Sequence, residues 1–226
     1  MCGRYRLSQA ELFAEMNDVR LGGNPFPKRY NIAPTQKVPV VLDESSDTFT
    51  IVRWGLIPSW AKDAKIASSL INARSETVAE KPAFRSAYKK RRCLVPADGF
   101  YEWQKSGTMK IPQHIFMRSG EPFAFAGLWE IWRDPATPDA ESVRSFTILT
   151  TTPNEVLAPI HDRMPVILPR ASYKAWLSAD TSADDRKALL APFVAQEMTA
   201  QPISTRVNTP RNDDTSIIEP VTTLFP

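Results

Sequence analysis

The segment Cys93-Leu94-Val95-Pro96-Ala97-Asp98-Gly99-Phe100-Tyr101-Glu102-Trp103-Gln104 decides the fold. Its first five residues have the apolar character of a buried strand, Asp98-Gly99 form a turn, and the residues after the turn predict a second strand. Cys93 is therefore expected to be a core thiol. Because side chains alternate across a strand, Glu102 lies on the face opposite its aromatic neighbours. Glu102 is either a solvent-facing strand residue or a desolvated acid–base group with a raised pKa.

The same patterns predict further strands and helices around this segment. Strands are predicted over residues 38–42, 49–54, 111–117, 123–127, 145–152 and 166–168. Helices are predicted over 8–19, from 75 through 88, and over 171–177 and 183–195, the first opened by a capping box from Ser8 to Glu11. The sequence contains no internal repeat and no interdomain linker. We therefore expect one α+β domain over residues 1–226 that is rich in strand.

Composition narrows the class of protein. The chain has 226 residues, 42% of them hydrophobic, with a net charge of +3, and its 20 prolines against 8 glycines favour short strands and fixed turns over long helices. Two cysteines give no disulfide framework, and two histidines make a multi-histidine metal site improbable. No apolar run is long enough to span a membrane, and no signal peptide is evident. We expect a reduced, intracellular protein without a metal or other cofactor.

The first three residues, Met1-Cys2-Gly3, carry the strongest chemical signal. Removal of an initiator methionine would leave Cys2 with an α-amine and a thiol on adjacent carbons. An α-amino group has a pKa of about 7.7–8.0, so roughly a fifth to a third of it is neutral at pH 7.4. The neutral amine can attack an aldehyde and the thiol can close on the resulting imine to give a thiazolidine. Alternatively, the thiol attacks a carbonyl with its own amine as base.

Three other features have both a structural and a functional interpretation. Trp54 and Trp60 bracket a Gly/Pro turn and are either packing groups of a lid or a platform for stacking on bases. His161 lies in a polar loop bracketed by prolines, which suits a working imidazole, whereas His114 lies in an apolar strand and is expected to be structural. The basic run Lys89-Lys90-Arg91-Arg92 is expected at a solvated helix end.

Six separated fragments together resemble one known family. They are Met1-Cys2-Gly3-Arg4-Tyr5, Tyr30-Asn31-Ile32-Ala33-Pro34, Trp54-Gly55-Leu56-Ile57-Pro58, Asn72-Ala73-Arg74-Ser75-Glu76, Ala97-Asp98-Gly99-Phe100-Tyr101-Glu102-Trp103 and Ile160-His161-Asp162-Arg163-Met164-Pro165. In this order and spacing they resemble the SRAP (SOS-response-associated peptidase) family, whose members sense abasic sites in single-stranded DNA. The resemblance implies a curved, barrel-like, mainly antiparallel β-sheet with flanking helices.

The resemblance also implies a reaction and a set of site residues. The N-terminal cysteine of the family traps the ring-opened aldehyde of an abasic deoxyribose as a stable DNA–protein crosslink, and peptidase and lyase activities are associated with the same site. The family's catalytic positions correspond here to Cys2, Asn72, Glu102 and His161. Its DNA-contacting positions correspond to Arg4, Asn31, Pro34, Trp54, Trp60, Arg74, Trp103, Thr150 and Arg163.

These assignments define the expected roles and partner. Glu102 would exchange protons at the carbonyl oxygen and the amine, and His161 would act at the sugar's ring oxygen or 3′ side. Asn72 would hold the Cys2 terminus or a sugar oxygen. The partner would be single-stranded DNA with an abasic site, bound by a monomer in the cytoplasm at the nucleoid, or in a nucleus. The arginines would read phosphates, unless they pair with acids such as Glu76 and Asp162.

Two other classes of function stay open at this point. Class II glutamine amidotransferases also begin Met-Cys-Gly, but their Asn-Gly-Glu segment is absent here. A non-covalent reader of modified DNA bases would bind reversibly and leave no covalent adduct.

The peptidase activity that the family name implies would be the self-removal of Met1, with Cys2 as nucleophile and Glu102 or His161 as base.

Overall fold

Five strands of the computed structural model close into a small barrel, and the structure describes residues 2–23, 25–137 and 139–221. Strand β9 pairs with both β6 and β10, so that the order β10-β4-β3-β6-β9 returns to its beginning. All pairs around the barrel are antiparallel except β4 with β10. The barrel strands are β3 (Lys37–Leu42), β4 (Phe49–Trp54), β6 (Arg92–Ala97), β9 (Phe123–Trp132) and β10 (Val143–Thr151).

A second, five-stranded sheet packs beside the barrel in the order β13-β8-β7-β1-β2. Its strands are β1 (Tyr5–Leu7), β2 (Arg29–Ile32), β7 (Gly99–Ser106), β8 (Met109–Met117) and β13 (Met198–Pro202). Three short strands extend the barrel sheet, namely β5 (Asn72–Arg74), β11 (Met164–Pro165) and β12 (Ile167–Leu168). The predicted α+β class and the barrel-like, mainly antiparallel sheet are confirmed.

The helices are shorter than the sequence predicts. They are α1 (Ala10–Met16), α2 (Arg85–Lys90), α3 (Tyr173–Leu177) and α4 (Ala183–Ala188). The predicted helix from Ser75 is wrong, because residues 75–84 form successive turns and α2 begins only after Pro82. The capping box is also wrong, since the backbone amide and hydroxyl of Ser8 both donate to the Asp98 carboxylate, at 2.8 Å each, rather than capping α1.

Asp98 forms the corner at which the chain leaves the barrel and enters the second sheet, between β6 and β7. Its buried carboxylate accepts from Ser8 and pairs with the Arg6 guanidinium at 2.8 Å. These contacts hold β1 against β7, with Tyr5 opposite Phe100. Tyr5 packs edge-on against Trp54 and Phe125 of the barrel, with ring centroids 5.2 and 5.9 Å apart. The chain immediately before β1, which contains Cys2, is thereby fixed beside the strand that carries Glu102.

Replacing Asp98 by asparagine is expected to destabilise the protein by about 3 kcal/mol, because it leaves the largely buried Arg6 cation without its counter-charge. Urea unfolding at pH 7 measures this change. Asp47→Asn is the matched control, since the Asp47–Arg20 pair is exposed to solvent and should contribute little to stability. Equal losses in the two variants would contradict the role given to Asp98.

Candidate functional site

Cys2 lies in the interior at the start of the described chain. Its relative exposure is 0%, and its carbonyl oxygen accepts a hydrogen bond of 2.8 Å from Nδ2 of Asn72 on β5. Its thiol lies 3.9 Å from the Arg4 carbonyl oxygen. Strand β5 reaches this point because it pairs in parallel with β10 in the barrel sheet, with Asn72 opposite Ile148. The second sheet and the barrel sheet thus meet at Cys2.

Glu102 and His161 lie on the same side of this junction. Glu102 is 2% exposed on β7, and its Oε2 is 4.0 Å from Nε2 of His161, which follows the turn at residues 155–160. Both faces of β7 are covered at Glu102, so the desolvated acid–base interpretation holds and the solvent-facing one does not. The four predicted catalytic positions are therefore brought together by two strands, the segment before β1 and one loop.

Burial changes the acidity of each ionisable group here. Desolvation raises the pKa of the Glu102 carboxyl to about 7, from an ordinary value of 4.5. Desolvation and the nearby Glu102 carboxylate raise the pKa of the Cys2 thiol well above its usual range. Burial lowers the pKa of His161, although the Asp162 carboxylate acts in the opposite direction. At neutral pH the site therefore holds a neutral thiol, a neutral imidazole and a carboxyl group near half ionisation.

Arg163 forms an ion pair with Glu76, which is the alternative to phosphate binding that the sequence analysis gives for the arginines. Its guanidinium donates to both Glu76 oxygens, at 2.5 and 2.9 Å, and to the Thr150 carbonyl oxygen at 2.6 Å. Thr150 itself is fully buried in β10. In the free protein these groups bind one another, so Thr150 has no surface to offer to DNA.

Arg4 and Asn31 bind the segment 203–221 that wraps over β1 and β2. Arg4 donates to Oδ1 of Asn31 at 3.0 Å and to the carbonyl oxygens of Val207 and Asn208 at 2.8 and 3.2 Å. The Asn31 side chain is fully buried, and its Nδ2 donates to the carbonyl oxygens of Val207, Thr209 and Asn212. Asn31 therefore holds the segment 203–221 in place from the interior of the protein.

The aromatic positions divide between core and surface. Trp54 is 0% exposed and stacks against Phe146, with its Nε1 donating to the Ile71 carbonyl oxygen, so it does not fit the predicted role in stacking on bases. Trp60 is 59% exposed and is open to a ligand. Trp103 is partly exposed, and its Nε1 donates to Oδ1 of Asn208 at 2.7 Å.

The remaining predicted DNA positions lie at the surface. Arg74 is exposed at the end of β5, two residues beyond Asn72, and Pro34 is partly exposed in the turn after β2. Arg74 and Trp60 are therefore exposed, whereas Arg4, Pro34 and Trp103 are each partly exposed. His114 is buried between the rings of Tyr101 and Phe116, as expected for a structural residue.

The sequence missed the segment 203–221 as part of the site. Asp213 accepts from the backbone amides of Tyr30 and Asn31, at 2.5 and 2.8 Å, and pairs with Arg29, which anchors the segment along the free edge of β2. The side chain of Asn208 joins it to Trp103. The composition of this segment predicts only that it closes a sheet edge, and it does not identify these partners, because they lie more than 100 positions away in the sequence.

Within residues 2–23, 25–137 and 139–221, no cluster of three or more His, Cys, Asp or Glu side chains is arranged to hold a metal ion. In the same ranges, no helix combines the length and apolarity that crossing a bilayer requires.

The site combines a cysteine at the second position, an amide that holds its carbonyl group, a buried carboxyl group and a half-buried imidazole. These are the chemical groups that a nucleophile site with acid–base assistance requires. The sequence model of the SOS response associated peptidase (SRAP) family matches residues 1–210, and the chain belongs to this family. The predicted family resemblance is confirmed.

Individual relatives are similar to this protein over nearly the whole length of the chain. The abasic site processing protein YoqW of Bacillus subtilis (strain 168) is 42% identical over 230 residues, covering 97% of this chain and 99% of YoqW. The abasic site processing protein YoaM of the same organism is 43% identical, covering 97% and 98%. A crystal structure of a protein from Bacteroides thetaiotaomicron matches with a TM-score of 0.89 and 30% identity, over 97% of this chain and 100% of that one.

Proposed function

We propose that this protein processes abasic sites in single-stranded DNA by capturing the ring-opened sugar on the amine and thiol of Cys2. The observation that carries the proposal is the placement of Cys2, held by Asn72, beside the buried Glu102 carboxyl with its pKa of about 7. The abasic site processing proteins among the relatives support the choice of substrate. Met1 lies outside the described residues, and the reaction requires its removal, which frees the Cys2 nitrogen.

The amine acts before the thiol. Because burial keeps the Cys2 thiol protonated at neutral pH, the thiol is a poor first nucleophile, whereas part of an α-amine is neutral. The neutral amine adds to C1′ of the aldehyde to form a carbinolamine. Glu102, half protonated near pH 7, donates a proton to the departing hydroxyl group, and loss of water leaves a protonated imine (iminium) beside the Glu102 carboxylate.

The thiol then closes the ring. The Glu102 carboxylate produced in the previous step accepts the proton of the Cys2 thiol as Sγ adds to C1′. The product is a thiazolidine, and the whole reaction releases one water with Glu102 returned to its protonated form. One carboxyl group thus serves both steps, which a pKa near neutrality allows.

Asn72 and His161 would orient the reactants. Asn72 Nδ2 is already bound to the Cys2 carbonyl oxygen, while its buried Oδ1 has no hydrogen-bond partner within the described residues and can accept from the amine or a sugar hydroxyl. His161, whose Nε2 lies 4.0 Å from Oε2 of Glu102, would transfer a proton at the sugar's ring oxygen or 3′ side. Strand cleavage at the abasic site, the proposed lyase activity, would use the same imidazole.

A denaturing gel tests this function directly. The protein is incubated with a single-stranded oligonucleotide that carries one abasic site, and an intact one serves as control. We expect a heat-stable band of slower mobility with the abasic strand only, and an intact mass equal to protein lacking Met1 plus DNA minus one water. Reversible binding without that band would favour a non-covalent reader, and glutamine hydrolysis would favour an amidotransferase.

We expect the affinity for DNA to fall as the salt concentration rises, because a small number of contacts to phosphate contribute to binding. Each phosphate neutralised on a single strand contributes about −0.7 to the slope of log K against log salt. Replacing the exposed Arg74 by alanine should therefore flatten the slope by about 0.7, measured by fluorescence anisotropy at several salt concentrations. Arg20→Ala is the control, because Arg20 is an exposed arginine paired with Asp47 and lies outside the predicted site. An unchanged slope in Arg74→Ala would remove Arg74 from the DNA surface.

A further inference from the structure

The loop that carries His161 is held in place by an ion pair between Arg163 and Glu76. Neither residue of this pair has a catalytic role in the proposed reaction. Glu76 receives both terminal nitrogens of Arg163, and the Arg163 side chain is only 14% exposed. One of the same nitrogens also donates to the carbonyl oxygen of Thr150, within the barrel sheet. A two-point ion pair of this kind fixes the orientation of a guanidinium as well as its position. The backbone of Arg163 is therefore anchored to β10 and to the turn after β5.

That anchored backbone makes a specific contact with the imidazole. The amide N–H of Arg163 donates to Nδ1 of His161 at 3.0 Å. A nitrogen that accepts a hydrogen bond carries a lone pair, so the proton of the neutral ring must sit on Nε2. Nε2 is the nitrogen that faces Glu102, with 4.0 Å between it and Oε2. In this tautomer the neutral imidazole presents a donor to the site.

Asp162 favours the other tautomer. Its Oδ1 lies 2.8 Å from the same Nδ1, which would attract a proton to that nitrogen. The Asp162 side chain is 88% exposed, however, so water screens its charge, whereas the Arg163 amide is fixed by the chain. The balance between these neighbours depends on how firmly Arg163 is held.

We propose that Glu76 is a positioning residue: by clamping Arg163 it keeps the Arg163 amide on Nδ1 of His161 and so presents Nε2–H toward Glu102 and the sugar. The part that concerns the sugar rests on the proposed function, whereas the tautomer is a property of the free protein. Glu76 acts through Arg163 and touches neither the DNA nor the reacting atoms in this scheme.

Nitrogen NMR of the free protein tests the tautomer without DNA. The chain has only two histidines, so a ¹⁵N-labelled sample at pH 8 gives two imidazole patterns, and His161→Gln identifies which is which. We expect the Nε2–H form for His161 in the wild type and a mixture of tautomers in Glu76→Gln. A wild-type spectrum showing mainly Nδ1–H would overturn the proposal, with no variant needed.

The rate of crosslinking tests the consequence. At saturating abasic DNA we expect Glu76→Gln to react roughly tenfold more slowly or worse, since a small displacement of a proton-transfer group has an effect of this size. Glu80→Gln removes the same charge from an exposed position of the same turn and should react at the wild-type rate. The DNA concentration that gives half of the maximal rate should agree within about twofold between the two variants. A wild-type rate in Glu76→Gln would overturn the proposal, as would a large gain in affinity, which would mean that Glu76 only masks Arg163 from phosphate.

Discussion

Cys2→Ala is expected to form no heat-stable adduct with abasic DNA, a loss on the order of 100-fold or more, while its affinity for the strand stays within about twofold of the wild type. Alanine keeps the α-amine and therefore still forms an imine, but without Sγ the ring cannot close and the imine hydrolyses. A denaturing gel measures the adduct, and anisotropy at constant salt measures the affinity. Adding cyanoborohydride should restore a covalent band in Cys2→Ala, because it reduces the imine to a stable amine.

Cys93→Ala is the matched control for this experiment. Cys93 is the other cysteine of the chain, and it is fully buried in β6. It should crosslink like the wild type. Full, heat-stable crosslinking by Cys2→Ala without a reductant would mean that the linkage does not use the thiol, and the thiazolidine would have to be abandoned.

The parts of the fold that follow local rules could be predicted from the sequence. The strands at 38–42, 49–54 and 93–97 lie where their apolar residues placed them, within β3, β4 and β6. The closure of the barrel could not be derived in this way, because the pairing of β9 with both β6 and β10 depends on contacts across the whole chain. Only the resemblance to the SRAP family predicts a barrel-like sheet.

The errors have a common physical cause. Ser8 has the residue type and spacing of a helix cap, yet its hydroxyl binds the Asp98 carboxylate, 90 residues away. The family resemblance places Trp54 among the DNA contacts, while its Gly/Pro turn allows either packing or stacking, but Trp54 is the buried last residue of β4 and packs on Phe146. In both cases a tertiary contact outweighed a local preference. The residues around Cys2 were found because the family motifs mark them, whereas nothing local marked Asn208 or Asp213.

Glu102→Gln is expected to slow crosslinking by about 100- to 10,000-fold and to change its pH dependence, because an amide cannot donate or accept the proton that the mechanism needs. In the wild type the rate should rise with pH as the Cys2 amine becomes neutral, and it should fall above pH 7 as Glu102 loses its proton. The variant should keep the rise and lose the fall. Single-turnover rates between pH 5.5 and 9 measure both limbs.

Two controls make this comparison interpretable. Intact mass before the reaction shows whether Met1 is absent, and only Met1-free protein enters the comparison. Retention of Met1 in Glu102→Gln alone would also indicate that its removal is autocatalytic. Glu121→Gln, at an exposed turn between β8 and β9, should retain the wild-type profile. A falling limb that survives in Glu102→Gln would assign that ionisation to another group.

The same ionisation should appear in the stability of the protein. Because the folded-state pKa of Glu102 is raised from 4.5 to about 7, the stabilisation associated with its protonated form is complete below pH 4.5 and is lost as the pH rises through 7. Glutamine stays neutral and avoids this loss. Relative to the wild type, Glu102→Gln should therefore gain roughly 3 kcal/mol between pH 4 and pH 8, measured by urea unfolding at each pH.

The stability and rate measurements constrain one another. If one buried carboxyl group both weakens the fold as it ionises and supplies the proton for dehydration, the stability difference must level off at the pH where the rate begins to fall, near pH 7. A stability difference that is the same at pH 4 and pH 8 would show that Glu102 is not desolvated as the structure indicates. In that case its acid role would lose its physical basis even if the variant were inactive.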